Sequence, residues 1–488
     1  MAVPSEPGSL DPQKTIDGTA LTMASFAYDP LVNETPDGSF VSGLASSWTQ
    51  SGDDWVFTMR KGVTCADGSA FTAADVEANF AFLENPKSGS PLLGTYLPPG
   101  ITAKADSAGT TVTLKLSRPA PFFLNGLSLV PMVCKGGLAD RSKLKQGADG
   151  TGPYKLTKAV TGDEYTYTRR TEYAWGPNGA RVDAADQPSK VSFKVVADQA
   201  TQANLLMAGS INAASVSSSD VQRLSAAKLF SASYLTPIGE MFFNQGAGHV
   251  TADEKVRLAL TTALNLSEIQ SVYTGGTGSG PTTFTPGTPA ACPGNSVESA
   301  LPTHSVPEAQ SILSAAGWKP GPDGVRVKDG KRLNITFLYN TDIPSGSPAA
   351  AELATAAWKK IGVDVQPVGK PVSQTNSVLF GSGAWEVNWN GLGVSTPNQL
   401  VSILSGDAPP NGSNFAHIDN ATYTAEVKKA SESSGAAGCS NWLAAETALV
   451  RDSDVVPFAN MPWPTFGKNA TFKFSGSYIV PTSIRLTK

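Results

Sequence analysis

The chain of 488 residues has few of the side chains on which metal sites and most enzymes depend. It contains only 3 histidines and 4 cysteines. No Cys-x-x-Cys pair and no His-Glu-x-x-His motif occurs, so we expect no metal site and no cofactor. The Gly-Lys pairs at 330, 369 and 467 are followed by Arg, Pro and Asn, which excludes a phosphate-binding P-loop. No Gly-x-Ser-x-Gly elbow is present either. These patterns give no support for an enzyme.

Long apolar runs and a large net charge are also absent. No run approaches the roughly 18 apolar residues of a membrane span. The net charge is −4 and 16% of the residues are charged, so neither nucleic acid nor an anionic membrane is an expected partner. The first nine residues carry no charged segment followed by an apolar core, so they contain no export signal. Because Met1-Ala2 is typical of an added start, we expect a mature form of an exported protein.

The few cysteines have an informative distribution. Cys65 and Cys134 lie in the first half of the chain, and Cys292 and Cys439 in the second. An even count with one pair in each half predicts the disulfides Cys65–Cys134 and Cys292–Cys439, and hence an oxidising compartment. Each could stabilise the fold by roughly 4–5 kcal/mol on the chain-entropy model. Four buried free thiols are the alternative.

A stretch that begins at Gly43 carries the clearest local structure. Trp55, Phe57 and Met59 recur with a period of two, which predicts a half-buried strand. Farther along, Thr72 suits a helix N-cap with Asp75 three residues on. A strand followed by a capped helix occurs in many domains, so local structure alone does not define this stretch.

The residue order in this stretch is more specific. Residues 43–82 read GLASSWTQSGDDWVFTMRKGVTCADGSAFTAADVEANFAF. This resembles the signature of the bacterial extracellular solute-binding proteins of family 5, the peptide/nickel group that feeds ABC importers. Further similarities extend the resemblance over about residues 8–488. It implies an α/β, two-lobed periplasmic-binding-protein-like fold with an extra inserted domain, which captures a peptide or small organic ligand in an interlobe cleft by hinge closure.

The resemblance also implies a domain division, partners and a location. Domain I would combine 1–38, 156–236 and 462–488, domain II would be the insertion 39–155, and domain III would span 237–461. Strands near 234–243 and 456–463 would act as the hinge. The partner would be an ABC-importer permease, and the protein would be an extracytoplasmic monomer, either periplasmic or a cell-surface lipoprotein. Any membrane contact would need a lipid anchor that this sequence lacks.

Helix signals in the third domain support the α/β class, because they alternate with strand patterns. Thr251 with Glu254 predicts a capping box, and Ser305 with Glu308 predicts the cap of a later helix.

Candidate ligand contacts in the N-terminal half follow from the resemblance. The loop before the first helix faces the ligand in the family, which implicates Asp17, Gly18, Thr19 and Tyr28. A core aromatic with a satisfied hydroxyl is an equal alternative for Tyr28. An aromatic of the inserted domain often contacts the ligand, which implicates Tyr96.

The most informative candidates follow a predicted strand over 385–390. In peptide-binding members the corresponding strand ends in a motif like Gly-Trp-x-x-Asp, whose aspartate neutralises the peptide α-amino group. Here Leu392 and Ser395 occupy the tryptophan and aspartate positions, and no arginine lies between Arg332 and Arg451. Core packing is the alternative for one of Trp385 and Trp389. The candidates in this half are Asn388, Trp389, Asn390, Gly391, Leu392, Ser395 and Trp463.

The missing aspartate predicts the ligand's charge. A buried ammonium without a counter-charge costs several kcal/mol, so we expect a neutral, blocked or anionic ligand and weak binding of simple peptides. Glu240 or Asp17 as a relocated anchor for an ordinary peptide is the alternative. Two other functions stay open: a family-5-like scaffold that serves as a biosynthetic enzyme or binds a sugar or aromatic compound, and a surface sensor or adhesion protein.

Overall fold

The computed structural model describes residues 1–217, 220–341, 344–433 and 435–487. Contacts between residues divide the chain into two units. Unit 1 comprises Met1–Tyr234 and Trp463–Lys488, and unit 2 comprises Leu235–Pro462. The division of unit 1 into domains I and II stays a prediction. The hinge role of the strands near 234–243 and 456–463 stays a prediction as well.

The N-terminal part of unit 1 is rich in short antiparallel strands. Its strands are β1 (Ala2–Val3), β2 (Val32–Glu34), β3 (Phe40–Ser42), β4 (Ala45–Ser51), β5 (Asp54–Met59), β6 (Thr102–Ala105), β7 (Thr111–Lys115), β8 (Tyr154–Val160), β9 (Glu164–Arg169), β10 (Lys190–Val195) and β11 (Ala213–Ser215). Its helices are α1 (Gly18–Ala27), α2 (Ala73–Leu83), α3 (Phe123–Leu127), α4 (Lys135–Ala139), α5 (Gln199–Ala208) and α6 (Asp220–Ala226).

Strands and helices alternate in the second part of the chain. The strands are β12 (Phe230–Phe243), β13 (Lys319–Pro320), β14 (Arg326–Lys328), β15 (Lys331–Arg332), β16 (Asn334–Asn340), β17 (Asp364–Lys370), β18 (Val387–Asn390) and β19 (Val455–Gly467). The helices are α7 (Glu254–Thr262), α8 (Leu266–Tyr273), α9 (Val306–Ala315), α10 (Ser347–Lys360), α11 (Val372–Ser377), α12 (Val401–Leu404), α13 (Ala421–Ser431) and α14 (Cys439–Arg451). The C-terminal tail adds β20 (Ala470–Thr471), β21 (Phe474–Ser475), β22 (Tyr478–Ile479) and β23 (Arg485–Leu486).

The local predictions for the 43–83 stretch are confirmed. In β5, Trp55, Phe57 and Met59 are buried in a core that also contains α2. Helix α2 begins after Thr72, whose backbone N–H donates to Asp75 Oδ2 at 2.9 Å. The alternation of apolar residues sets which face of the strand is buried, and the reciprocal cap fixes the helix start.

One helix start was predicted two residues too early. Helix α7 begins at Glu254 with Asp253 as its N-cap. Thr251 instead lies in a short 3₁₀ turn, where its hydroxyl donates to Asn244 O at 2.6 Å. At α9 the predicted N-cap is confirmed, because Ser305 Oγ accepts from Glu308 N, while Ser305 N donates to Thr262 O.

Unit 2 has the α/β architecture that the sequence predicts. Strand β16 pairs in parallel with β17 and with β18, and α10 forms the crossover between β16 and β17. β12 pairs antiparallel with β18. One face of these strands packs into an aromatic core in which Phe337 lies 5.0 Å from Trp358 and 4.8 Å from Trp389 between ring centroids. This core holds the strand ends that carry the candidate ligand contacts.

Both predicted disulfides are present, Cys65–Cys134 in unit 1 and Cys292–Cys439 in unit 2. In the part of the chain that the structure describes, no helix is both long and apolar enough to cross a membrane.

Candidate ligand site

A row of polar side chains crosses the unit 2 sheet where β16 and β18 end. Glu240 on β12 pairs with Asn390, the last residue of β18. Asn340, the last residue of β16, donates from Nδ2 to Asn390 Oδ1 at 3.1 Å. The preceding residues of β16 and β18, Tyr339 and Trp389, point to the opposite face and contribute to the apolar core. We call Glu240, Asn340 and Asn390 the polar row.

Glu240 is the one carboxyl of this row, and it is 1% exposed. Its Oε2 accepts a hydrogen bond from Leu392 N at 2.7 Å, while Oε1 is buried without a partner among the described residues. Burial raises the pKa of Glu240 to about 8, the nearby Glu446 carboxylate adds to the rise, and the Leu392 N–H opposes it. At neutral pH this carboxyl is therefore largely protonated.

The segment Gly391–Ser395, which we call the β18 turn, follows the polar row. A Cβ on Gly391 would lie 2.6 Å from Pro237 O and 2.7 Å from Ile238 Cα, so only glycine allows the turn to lie this close to β12. Val394 N donates to Leu392 O at 2.9 Å. Ser395 is exposed, and its N–H donates to Gln399 Oε1 at 2.9 Å. The residue at the family's aspartate position thus offers a hydroxyl and no charge.

The side chains that precede the turn are buried. Asn388 donates from Nδ2 to Leu338 O at 3.1 Å. Trp385 and Trp389 are both 0% exposed, although packing was predicted for only one of them. Trp389 lies 4.8 Å from Phe458 between ring centroids. In this structure neither tryptophan has exposed surface for a ligand.

The candidates near α1 in unit 1 have structural partners. Asp17 is the exposed N-cap of α1, and its Oδ1 accepts from Ala20 N at 2.9 Å. Thr19 is buried, with its hydroxyl 3.0 Å from Ser5 Oγ. Tyr28 is 3% exposed and accepts from Asp149 N at 3.1 Å, and burial raises its pKa. Tyr28 thus matches the alternative of a core aromatic with a satisfied hydroxyl.

A group of half-buried tyrosines occupies another part of unit 1. Tyr96 hydrogen-bonds Tyr478 of the C-terminal tail, and burial raises the pKa of both phenols. Tyr234 lies 5.7 Å from Phe474 between ring centroids. Trp463, the first unit 1 residue on β19, is also half-buried. Tyr96 and Trp463 therefore keep some exposed surface, unlike Trp389.

Sequence reasoning missed Asn340, Tyr478 and Glu446. Asn340 could have been found, because it ends a predicted strand parallel to β18, and the carboxyl ends of parallel strands share an edge. Tyr478 follows a Ser-Gly-Ser turn without any periodic pattern, and no signal in the sequence associates Glu446 with Glu240.

These features define a class: an α/β binding protein whose polar residues lie at the carboxyl ends of parallel strands. Residues 39–411 match the family model of the "Bacterial extracellular solute-binding proteins, family 5 Middle". The chain therefore belongs to the bacterial extracellular solute-binding proteins of family 5.

Individual relatives agree with this assignment. The chain is 27% identical to the periplasmic murein peptide-binding protein MppA of Escherichia coli, over 93% of this chain and 86% of the relative. It is 25% identical to a putative ABC transporter peptide-binding protein of Brucella ovis, over 90% and 81% of the two chains. A substrate binding protein from Microbacterium hydrocarbonoxydans, solved with 4-hydroxybenzoate hydrazide, is 25% identical with a TM-score of 0.73, covering 100% of this chain and 99% of that one.

The predicted fold class and the predicted solute-binding function in an ABC importer are thereby confirmed. The alternative of a biosynthetic enzyme on this scaffold gains no support, since the family is one of binding proteins.

Proposed function

We propose that this protein delivers to its ABC importer a peptide or peptide-like compound without a free, charged α-amino group. The observation that carries the proposal is the chemistry of the β18 turn. Ser395 is its exposed polar side chain, and the Glu240 carboxyl beneath the turn is buried and bonded to Leu392 N. A ligand ammonium held there would lack an ionised counter-charge, which costs several kcal/mol.

Calorimetry with a matched pair of ligand libraries tests this proposal. One library contains free tripeptides, and the other contains the same tripeptides with N-acetyl and C-amide caps. We expect the capped library to bind at least about tenfold more tightly, which corresponds to about 1.4 kcal/mol. Tighter binding of the free library would contradict the proposal.

The variant Ser395→Asp sharpens this test, because it restores a carboxylate at the family's aspartate position. It should improve binding of free tripeptides by about tenfold or more. The matched control Ser395→Asn has nearly the same shape without the charge, and it should leave the preference for capped ligands unchanged.

A peptide anchored by Glu240 is a second candidate, favoured by the unpaired Glu240 Oε1. In that case Glu240→Gln would abolish binding of free tripeptides, while Ser395→Ala would not. Asp17 is the weaker substitute, because Oδ1 already caps α1. Asp17→Asn should therefore leave peptide binding unchanged.

We also propose an ABC permease as partner, an extracytoplasmic location and a monomeric state. The names of the relatives support the first two. Fractionation of native cells, followed by detergent partitioning of the native protein, tests for the lipid anchor. Release into the aqueous phase would contradict a lipoprotein.

The compound bound to the Microbacterium protein, 4-hydroxybenzoate hydrazide, serves as a probe for aromatic ligands.

A further inference from the structure

Glu240 lies directly beneath the turn that we assign to ligand contact. It pairs with Asn390, the residue before the β18 turn, and its Oε2 accepts from Leu392 N, the second residue of the turn. Gly391, which lies between Asn390 and Leu392 in the chain, packs against Pro237 and Ile238 of β12, the strand that also carries Glu240. Glu240 thus bonds to a turn residue two positions beyond the end of β18.

The charged neighbour of Glu240 is another acid. Glu446 on α14 is 3% exposed, and it accepts from the Ser296 hydroxyl and from Phe284 N. The Cys292–Cys439 disulfide ties the segment that supplies these donors to the first residue of α14. This arrangement holds the second carboxyl in place inside unit 2.

Among the described residues, no positively charged group contributes to the pKa of Glu240 or to that of Glu446. The sequence of β18, the β18 turn and β19 contains no ionisable side chain, and neither do residues 282–297 apart from the disulfide-bonded Cys292. On α13, which packs against α14, the Tyr423 phenol interacts with Glu446: burial raises the pKa of Tyr423 and the Glu446 charge raises it further, so this phenol supplies no positive charge. Burial raises the pKa of Glu446 to about 7, and Glu446 contributes to the raised pKa of Glu240. Both carboxyls therefore change charge near physiological pH.

We propose that Glu240 is a positioning residue for the β18 turn, and that loss of its proton tightens its hold on Leu392. A carboxylate accepts a charge-assisted hydrogen bond, which is shorter and roughly twice as strong as that of a neutral group. Burial accounts for most of the rise in the pH of this change, and Glu446 raises it further because its negative charge disfavours a second one nearby. The inference rests on the proposed function only in assigning ligand contact to the turn.

The Leu392 amide in protein labelled with ¹⁵N-leucine reports on this hydrogen bond. Its resonance can be assigned with Leu392→Ile and followed by transverse-relaxation-optimised NMR from pH 6 to pH 10. We expect a downfield proton shift with a midpoint near pH 8, and no such titration at the amide of Leu313 in α9. An unchanged Leu392 resonance across this range would overturn the proposal.

Two variants separate positioning from a purely structural role. Glu240→Gln should abolish the Leu392 titration, and a titration with the wild-type midpoint would overturn the proposal. Glu446→Gln should lower the midpoint, because it removes the like charge while Glu240 remains. An unchanged midpoint would overturn the role of Glu446, and this variant keeps the test available if Glu240→Gln does not fold.

The NMR experiment uses ligand-free protein, so its result is independent of the tripeptide libraries. If the capped library does not bind more tightly than the free one, the proposed ligand class is wrong, but the Leu392 titration can still be observed. Conversely, the capped peptides could bind while the Leu392 amide shows no titration. That result would support the proposed ligand class and contradict the proton-dependent hydrogen bond from Leu392 to Glu240.

Discussion

Each unit contains a buried carboxyl near a candidate ligand residue, and the two carboxyls are held very differently. In unit 1, Asp29 accepts from Tyr173 OH at 2.8 Å, from Thr151 Oγ1 at 2.8 Å and from Trp175 Nε1 at 3.1 Å. In unit 2, Glu240 accepts from Leu392 N alone and keeps one oxygen unpaired in the described structure.

Burial raises the pKa of both groups, and hydrogen-bond donors lower it, but their charged neighbours act in opposite ways. Three hydrogen bonds and the charge of Arg170 lower the pKa of Asp29, whereas Glu446 raises that of Glu240. Asp29 is surrounded by donors that favour its anion, as in a structural network. Because the pKa of Glu240 is about 8, its protonated and ionised forms differ little in free energy near physiological pH. This suits a group that changes charge as part of its function.

Removal of Asp29 should have the largest effect on stability. Asp29→Ala leaves the donors of Tyr173, Thr151 and Trp175 buried without their acceptor, so we expect a loss of about 3–5 kcal/mol. Urea unfolding followed by circular dichroism measures the loss. Glu240→Ala is the matched comparison and should cost less, since it deprives only Leu392 N of its acceptor. Equal losses would contradict the contrast between the two carboxyls.

The two disulfides extend the comparison between the units. Cys65 and Cys134 are 1% and 0% exposed, while Cys439 of the second bond is partly exposed. Replacement of Cys292 and Cys439 by serine should cost about 2–4 kcal/mol. We also expect mild dithiothreitol to open this bond first, because a thiolate must reach a sulfur to attack it.

Alkylation followed by mass spectrometry identifies which cysteines become free. The double variant Cys65→Ser with Cys134→Ser is the control, in which the remaining bond should open at the wild-type rate. Release of Cys65 and Cys134 before the second pair would contradict the expected order.

The features that could be predicted from the sequence are those set by nearby residues. The β5 alternation and the Thr72–Asp75 cap depend on residues a few positions apart, so local physics fixes them. At α7 the same reasoning predicts Thr251 as the cap, whereas Asp253 caps the helix and Thr251 bonds to Asn244, a tertiary contact that the local sequence does not show.

The candidate site was only partly predictable, because its key contacts join distant segments. Alternation correctly placed Trp389 on a strand, but it could not reveal that the core covers this side chain completely. The bond from Leu392 to Glu240 spans 152 positions, and the influence of Glu446 comes from another helix. Such contacts depend on the packing of the sheet, which no local pattern encodes.

The smallest predicted effect is the pH dependence of stability that Glu240 contributes. In the folded protein its pKa is about 8, against 4.5 for an unperturbed glutamate. Between these values the folded state keeps a proton that the unfolded chain has lost, so stability falls as pH rises through this window and levels off above it. Glu446, with a pKa of about 7, contributes in the same direction up to that pH.

Glu240→Gln should therefore lose less stability than the wild type between pH 5 and pH 8, by roughly 1–3 kcal/mol. Thermal unfolding at one-unit pH steps measures the slope, and the exposed Glu268→Gln should retain the wild-type slope because it removes no buried acid. The slope should flatten further when Glu446→Gln is added, since each variant removes one proton that folding would otherwise take up. Parallel curves for the wild type and Glu240→Gln would show that Glu240 does not change charge between the folded and unfolded states in this range, and they would contradict its assignment as a titrating group.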